Sequence, residues 1–216
     1  MRFDFGFVVR TLPLFLDGLV VTLELSALAI GFALLWGLAV VMLRRLRGVS
    51  ALTAAYVELV RNTPVLVQMY FIFFGSGMAG YALSGFTAGL IALVLQNGAY
   101  LSEVYRAGIE SVSRRQVEAG LALGMLRRQA FVIVVLPQAI RHMIPAITNQ
   151  GVVIIKDTAL VSTISVAEMT YQARLLADRT AAVYEIFFTL AAFYLLVVTV
   201  FTGSMRLLER RVRVLT

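Results

Sequence analysis

Residues 62–102 read NTPVLVQMYFIFFGSGMAGYALSGFTAGLIALVLQNGAYLS, and none of these 41 residues carries a charge. A helix needs about 20 mostly apolar residues to cross the hydrocarbon core of a membrane, so the stretch is too long for one span and suits two. Glycine and serine gather in its middle, at Gly75, Ser76, Gly77, Gly80, Ser84 and Gly85. Because such clusters favour turns, the stretch predicts two membrane spans, over residues 52–76 and 86–109.

The composition of the whole 216-residue chain indicates the same class of protein. Hydrophobic residues make up 60% and charged residues 14% of it, against about 45–50% and about 25% in soluble globular proteins. So few polar side chains do not cover a water-facing surface, and they exclude a disordered or nucleic-acid-binding arm. The lack of cysteine excludes a disulfide framework and a thiolate metal site. The sequence therefore predicts an integral membrane protein.

Three further apolar segments complete the predicted architecture. The first span covers residues 14–43 and the last covers residues 183–205. Between them, residues 130–155 contain Pro137 and Pro145, which predict a kinked or broken fourth helix. We therefore expect one all-α transmembrane domain that takes in the whole chain, residues 1–216, and has five spans.

Basic residues are unevenly divided between the two ends of these spans. One end carries eleven arginines, which are Arg44, Arg45, Arg47, Arg114, Arg115, Arg127, Arg128, Arg206, Arg210, Arg211 and Arg213. The other end carries Arg2, Arg10, Lys156, Arg174 and Arg179. Positive charge concentrates on the cytoplasmic side of membrane proteins. We therefore predict that the N-terminus lies outside and the C-terminus in the cytoplasm.

The polar segment between the third and fourth spans has the pattern of a short amphipathic helix, over residues 113–127. Gly120 and Gly124 lie on one face of that helix. A solvated surface helix is one interpretation. A docking helix is the other, because small side chains let the backbone of another protein approach closely. The pattern alone leaves both open.

This segment also carries a family resemblance. It resembles the EAA loop of bacterial ABC importer permeases at seven positions, namely Glu118, Ala119, Gly120, Gly124, Val134, Leu136 and Pro137. Gly120 stands where the family usually has alanine, and Val134 where it has isoleucine. The resemblance implies that the helix sits in a cleft of an ATP-hydrolysing subunit and transmits closure of that subunit to the spans. It assigns this coupling to Glu118, Ala119, Gly120 and Gly124.

The resemblance covers nearly the whole chain and is closest to the polar amino acid uptake branch, which includes histidine, glutamine and arginine permeases. The stretch over residues 61–68, RNTPVLVQ, looks like the RNTPxLVQ element of that branch. Residues 99–109, 136–141 and 156–160 are similar to its third span, its fourth span and the segment that follows. The residues assigned to structural motifs are Arg61, Asn62, Thr63, Pro64, Gln68, Leu136 and Pro137.

The resemblance implies a membrane-spanning permease subunit with the type I ABC importer fold. Such a subunit translocates polar or charged amino acids, or related small zwitterions, across the bacterial cytoplasmic (inner) membrane. The implied partners are two ATP-hydrolysing subunits, a second permease subunit, identical or paralogous, and an extracytoplasmic substrate-binding protein. The chain has no GxxxxGK[ST], HExxH or GxSxG motif. We therefore expect no enzyme activity and no cofactor in this chain, with ATP-Mg bound by the partner subunits.

Polar side chains within the spans are candidates for a substrate path, because a charge at membrane depth is costly and faces a partner or an aqueous cavity. These candidates are Glu24, Asn97, Tyr100, Glu103, Lys156, Asp157 and Thr158. Lys156 and Asp157 have charges complementary to the carboxylate and ammonium of an amino acid. Structural interpretations stand beside these: Glu24 packs against a polar neighbour, Glu103 pairs with Arg106 three residues on, and residues 156–158 form a salt bridge in a loop.

Two rival functions follow from the same spans. An ion-coupled secondary transporter of small solutes would normally contain paired repeats with interrupted helices, which five unmatched spans do not provide. A membrane-embedded enzyme would need a catalytic set, and none is found in the sequence. No metal site is predicted either, because His142 is the only histidine and stands beside Arg141 without a second ligand nearby.

Overall fold

The computed structural model describes residues 3–46 and 48–214, except for the side chains of residues 211–214, and it is built from helices and short connections. The helices are α1 (Phe5–Leu43), α2 (Ser50–Arg61), α3 (Val65–Met78), α4 (Gly85–Glu110), α5 (Arg114–Ala122), α6 (Arg127–Gln129), α7 (Leu136–Asp157), α8 (Met169–Thr180) and α9 (Val183–Val214). A π-helical turn, Ala130–Val135, joins α6 to α7, and a 3₁₀ helix, Thr158–Ile164, follows α7. Arg2 and Arg47, which the charge count includes, lie outside the described residues.

Small side chains hold together α1 and α4, the most extensive helix pair in the described structure. Ala33 and Ala92 belong to one buried apolar cluster between them. Nearby, a Cβ atom built on Gly37 would lie 2.9 Å from the carbonyl oxygen of Gly98, so the two backbones touch. Since close packing supplies the attraction between helices where water is absent, these small residues bring α1 and α4 into contact along their length.

The long helices alternate in direction. Gln150 and Met143 of α7 meet Asn97 and Gly108 of α4 respectively, so these two helices are antiparallel. Phe15 of α1 stacks on α9 with ring centroids 5.7 Å apart, and the beginnings of α1 and α9 lie together. Gly37 of α1 contacts Gly98 of α4, and Arg44 meets Glu103 further along both, so these helices are parallel.

Helix α3 is antiparallel to α4, because Gln68 near its start bonds Gln96, whereas Ser76 near its end bonds Leu83 just before α4. Helices α1, α4 and α9 therefore run in one direction, and α3 and α7 run in the other.

The span predicted over residues 52–76 is two helices rather than one. α2 ends at Arg61, and α3 begins at Val65 after the N-cap residue Pro64, which has φ −59° and ψ 136°. Proline has no backbone N–H and does not continue a helix that precedes it, so the chain breaks here. The break lies inside the predicted span, at the RNTP element.

The coupling helix predicted over residues 113–127 is shorter than expected, because α5 ends at Ala122. Gly124 has φ +84°, a left-handed conformation that costs glycine little. The N–H groups of Met125 and Gly124 donate to the carbonyl oxygens of Gly120 and Leu121 at 3.1 and 3.0 Å, the pattern of a Schellman motif. Gly124 is therefore the residue that ends the helix, and it is exposed.

Three helical segments of the described chain are long and apolar enough to cross a membrane: Phe5–Leu43, Arg127–Ile164 and Val183–Arg210. The apolar helix α3 is shorter, as expected after the break at Pro64. α4 has 26 residues, about 39 Å at 1.5 Å per residue, but Gln96 and Asn97 make its centre polar.

Candidate functional sites

A polar depression opens between α1, α2 and α4. Its volume is about 390 Å³, and it is lined by Arg44, Ala54, Val57, Glu58, Arg61, Asn62, Tyr100 and Glu103. Two of these side chains are cationic and two are anionic. Since charged groups at membrane depth gather around aqueous paths, this depression is the first candidate for contact with a polar solute.

Glu103 is the centre of a chain of ion pairs beside the depression. Its Oε2 atom accepts a bond from Nη2 of Arg106 at 2.7 Å, so the pair predicted from their spacing is present. Its Oε1 atom accepts a bond from Arg44 of α1. Arg106 continues the chain to Glu110, with an Nη1–Oε2 distance of 2.7 Å. Sequence reasoning missed Arg44 as a partner, because the two residues are distant in the chain.

Tyr100 lies on the same wall of the depression as Arg61. Its hydroxyl donates to the carbonyl oxygen of Arg61 at 3.2 Å. The guanidinium carbon of Arg61 lies 5.0 Å from the centroid of the Tyr100 ring, a cation–π distance. Tyr100 therefore joins the end of α2 to α4.

Two other predicted path residues lie elsewhere. Asn97 is fully buried, donates to the carbonyl oxygen of Leu93 at 2.7 Å, and accepts a bond from Gln150 of α7. It is thus a tie between α4 and α7 and does not line the depression. Glu24 is exposed on α1 and does not line it either.

The segment predicted as the sharpest substrate candidate, residues 156–158, forms the junction between α7 and the 3₁₀ helix. Lys156 is exposed, Asp157 is half-buried, and Thr158 is fully buried with its hydroxyl donating to the carbonyl oxygen of Ile155 at 2.7 Å. None of the three lines the depression, so the structure divides the predicted path between two places.

A buried carboxylate that sequence reasoning missed is Glu168, at the N-cap of α8. It is fully buried and accepts bonds from the N–H of Tyr171 at 2.7 Å and from the hydroxyl of Tyr194 at 2.9 Å. Burial raises the pKa of Glu168, and bonds from the N–H groups of Thr170 and Tyr171 and from Tyr194 oppose that change. One of its donors, Tyr194, belongs to α9 and is distant in the sequence. The sequence alone therefore indicated only that an acidic residue precedes a helix, as at an N-cap.

The predicted coupling helix α5 and the loop after it, residues 114–126, form the coupling segment, which has an exposed face at the basic end of the bundle. Glu118 and Ala119 are exposed, whereas Gly120 is buried against its own loop. Leu123 and Leu126 are 81% and 70% exposed. Exposed leucines beside an amphipathic helix are typical of a docking surface.

Comparisons with known proteins define the class. The family described as "Binding-protein-dependent transport system inner membrane component" matches residues 29–214, and the chain belongs to this family. It is therefore an inner-membrane permease subunit of a binding-protein-dependent ABC importer; ATP hydrolysis takes place in separate subunits.

Individual relatives narrow the branch. The chain is 35% identical to the glutamine transport system permease protein of Escherichia coli (strain K12), with 100% of both chains covered. It is 36% identical to a glutamate/aspartate import permease of Escherichia coli O6:H1, with 85% of this chain and 87% of that protein covered. It also superposes on a crystal structure of "an amino acid ABC transporter with histidines" with TM-score 0.91 and 36% identity, covering 98% of this chain and 100% of that one. Like that protein, it has an ABC type I permease fold.

Proposed function

We propose that this permease subunit imports a polar amino acid of the glutamine or glutamate type, and that the solute contacts the depression between α1, α2 and α4. The observation that carries this is that both cationic and anionic side chains line the depression. Glu58 suits an ammonium group and Arg61 suits a carboxylate, while Arg44 and Glu103 beside them are paired with each other. Relatives named for glutamine and for glutamate/aspartate support the substrate class.

We propose five spans, formed by α1, the α2–α3 pair, α4, α7 and α9, with the N-terminus outside and the C-terminus in the cytoplasm. The alternating helix directions and the arginines gathered near α5 and the end of α9 support this arrangement. In it the depression lies toward the cytoplasmic half, and residues 156–158 lie toward the outer half. Lys156, Asp157 and Glu24 are then candidates for an outer part of the path, supported by the exposure of Lys156 and Glu24.

The proposed coupling route begins at α5, on which an ATP-hydrolysing subunit with bound ATP-Mg acts. Glu110 precedes α5 by a few residues and is joined through Arg106 to Glu103 at the depression. The proposed route therefore runs from α5 through the three connecting residues 111–113 into the end of α4, and along its ion pairs to the depression. Binding of ATP by the partner shifts the population between inward-open and outward-open states.

The test is reconstitution of the complex, with its ATPase and substrate-binding subunits, in lipid vesicles. We expect uptake of labelled glutamine or glutamate that requires internal ATP, and that falls at least tenfold when Glu58 and Arg61 are both replaced by alanine. Uptake that survives ATP removal and follows an imposed ion gradient would instead favour a secondary transporter. Full uptake by the double variant would remove the depression from the path.

A further inference from the structure

We propose that Gln68 is a positioning residue of the polar depression: its side-chain amide bridges the break at Pro64 and holds Arg61 and Asn62 in place. This inference rests on the proposed function of the depression. It concerns a residue that touches neither the depression nor the coupling helix, and it gives a physical role to the last position of the RNTPVLVQ stretch.

The first step concerns the carbonyl oxygen of Val60, which loses its usual helical donor at Pro64. In an uninterrupted helix the carbonyl oxygen of Val60 accepts a bond from the N–H of residue 64. Pro64 has no N–H, and the N–H of Thr63 reaches this oxygen only at 3.4 Å, whereas Nε2 of Gln68 donates to it at 2.9 Å. The same nitrogen lies 3.1 Å from the carbonyl oxygen of Thr63, the residue just before the proline.

The need for such a bond follows from the surroundings. Where little water is available, a backbone carbonyl with only a long, weak bond is poorly satisfied, and side chains stabilise broken helices in membranes by supplying better donors. Gln68 is half-buried and lies one turn into α3, so its amide reaches back across the break. It therefore joins the end of α2 to the start of α3.

The second step is the connection to α4. Nε2 of Gln68 also donates to Oε1 of Gln96. An amide nitrogen has two hydrogens, so at least one is shared among these three oxygens. Gln96 and Tyr100 are four residues apart and lie on one face of α4. Tyr100 donates to the carbonyl oxygen of Arg61, before the break, and Gln96 accepts from Gln68, after it. One face of α4 therefore contacts the chain on both sides of the break.

The consequence concerns the substrate rather than the fold alone. Arg61 and Asn62 line the depression. They lie between Val60 and Thr63, whose carbonyl oxygens accept bonds from Gln68. When Gln68 no longer donates, the angle between α2 and α3 is less restricted and these two side chains spread over more positions. We expect weaker substrate binding with little change in the maximum rate of ATP hydrolysis.

The test compares Gln68→Leu and Gln68→Glu with Gln138→Leu in the reconstituted complex. Gln138 is also half-buried, but its amide donates to the carbonyl oxygen of Val134, four residues earlier in the adjoining π-helical turn. We expect the KM for glutamine or glutamate to rise tenfold or more in both Gln68 variants and less than twofold in the control. Glutamate replaces the donor with an acceptor among three oxygens, so it should be at least as harmful as leucine.

A second measurement reports the break itself. The chain has no cysteine, so spin labels at Leu59→Cys and Val67→Cys, both exposed positions, are the only labels on the permease. We expect the distance distribution between them to widen in Gln68→Leu and to stay unchanged in Gln138→Leu. If Gln68→Leu does not assemble, Gln96→Leu removes one acceptor and leaves the two backbone bonds.

The outcomes separate the two proposals. A wider distribution with a raised KM supports both. A wider distribution with an unchanged KM supports the bridging role of Gln68 and contradicts the role of the depression. An unchanged distribution, or equal effects of Gln68→Leu and Gln138→Leu, would overturn the inference.

Discussion

At the scale of single residues, two neighbouring glycines in the coupling segment have different reasons to be glycine. Gly124 has φ +84°, a conformation that costs a residue with a Cβ atom about 1–2 kcal/mol. A Cβ atom on Gly120 would lie 3.3 Å from the flexible end of Met125. We therefore expect Gly124→Ala to lower substrate-stimulated ATP hydrolysis by the complex several-fold, and Gly120→Ala to leave it near normal. Equal rates in the two variants would contradict this assignment.

The buried carboxylate of Glu168 provides a second prediction at this scale. Tyr194→Phe removes one of its donors and leaves the ring in place. Because an unsatisfied buried polar group costs about 1–3 kcal/mol, we expect the unfolding free energy of the purified permease to fall by about that amount. Thermal unfolding in detergent measures it, with Tyr184→Phe as the control because Tyr184 is 74% exposed. A shift of the same size in the control would count against the contact.

At the scale of elements, the ion pairs of Arg106 run along the last turns of α4, between the depression and the residues that lead into α5. Arg106→Gln removes the contacts with Glu103 and Glu110. Exposed ion pairs contribute at most about 1 kcal/mol, so the variant should fold normally. We expect ATP hydrolysis that no longer responds to substrate, measured in the reconstituted complex. Arg10→Gln, which breaks an exposed pair with Asp4 at the other end of α1, is the control and should keep the response.

At the scale of the whole molecule, the alternating helix directions place the ends of the bundle on opposite sides of the membrane. A single cysteine in place of Tyr81, which is 79% exposed between α3 and α4, should react with a membrane-impermeant maleimide added to intact cells. One at Ser113, before α5, should react only after the membrane is opened. The reverse pattern would invert the proposed orientation. The natural chain has no cysteine, so no background labelling of this subunit is expected.

The sequence alone determined the class of protein and its branch. Apolar content is a sum over residues, and a helix spans a membrane through its own backbone bonds, so neither depends on distant parts of the chain. Proline marked only some of the breaks: Pro64 separates α2 from α3 and Pro137 follows a π-helical turn, whereas α1 and α7 continue through Pro13 and Pro145. The Glu103–Arg106 pair is likewise local, since three residues separate its partners.

Only the tertiary structure decided which polar groups share a site. Arg44 meets Glu103, Tyr194 meets Glu168, and Gln68 meets Gln96 through contacts between helices, and no spacing along the chain encodes these distances. The same kind of contact buries Asn97 between α4 and α7, and the fold places residues 156–158 apart from the depression. In a membrane bundle, the chemistry of a polar residue depends on the neighbour that satisfies it, and packing between helices chooses that neighbour.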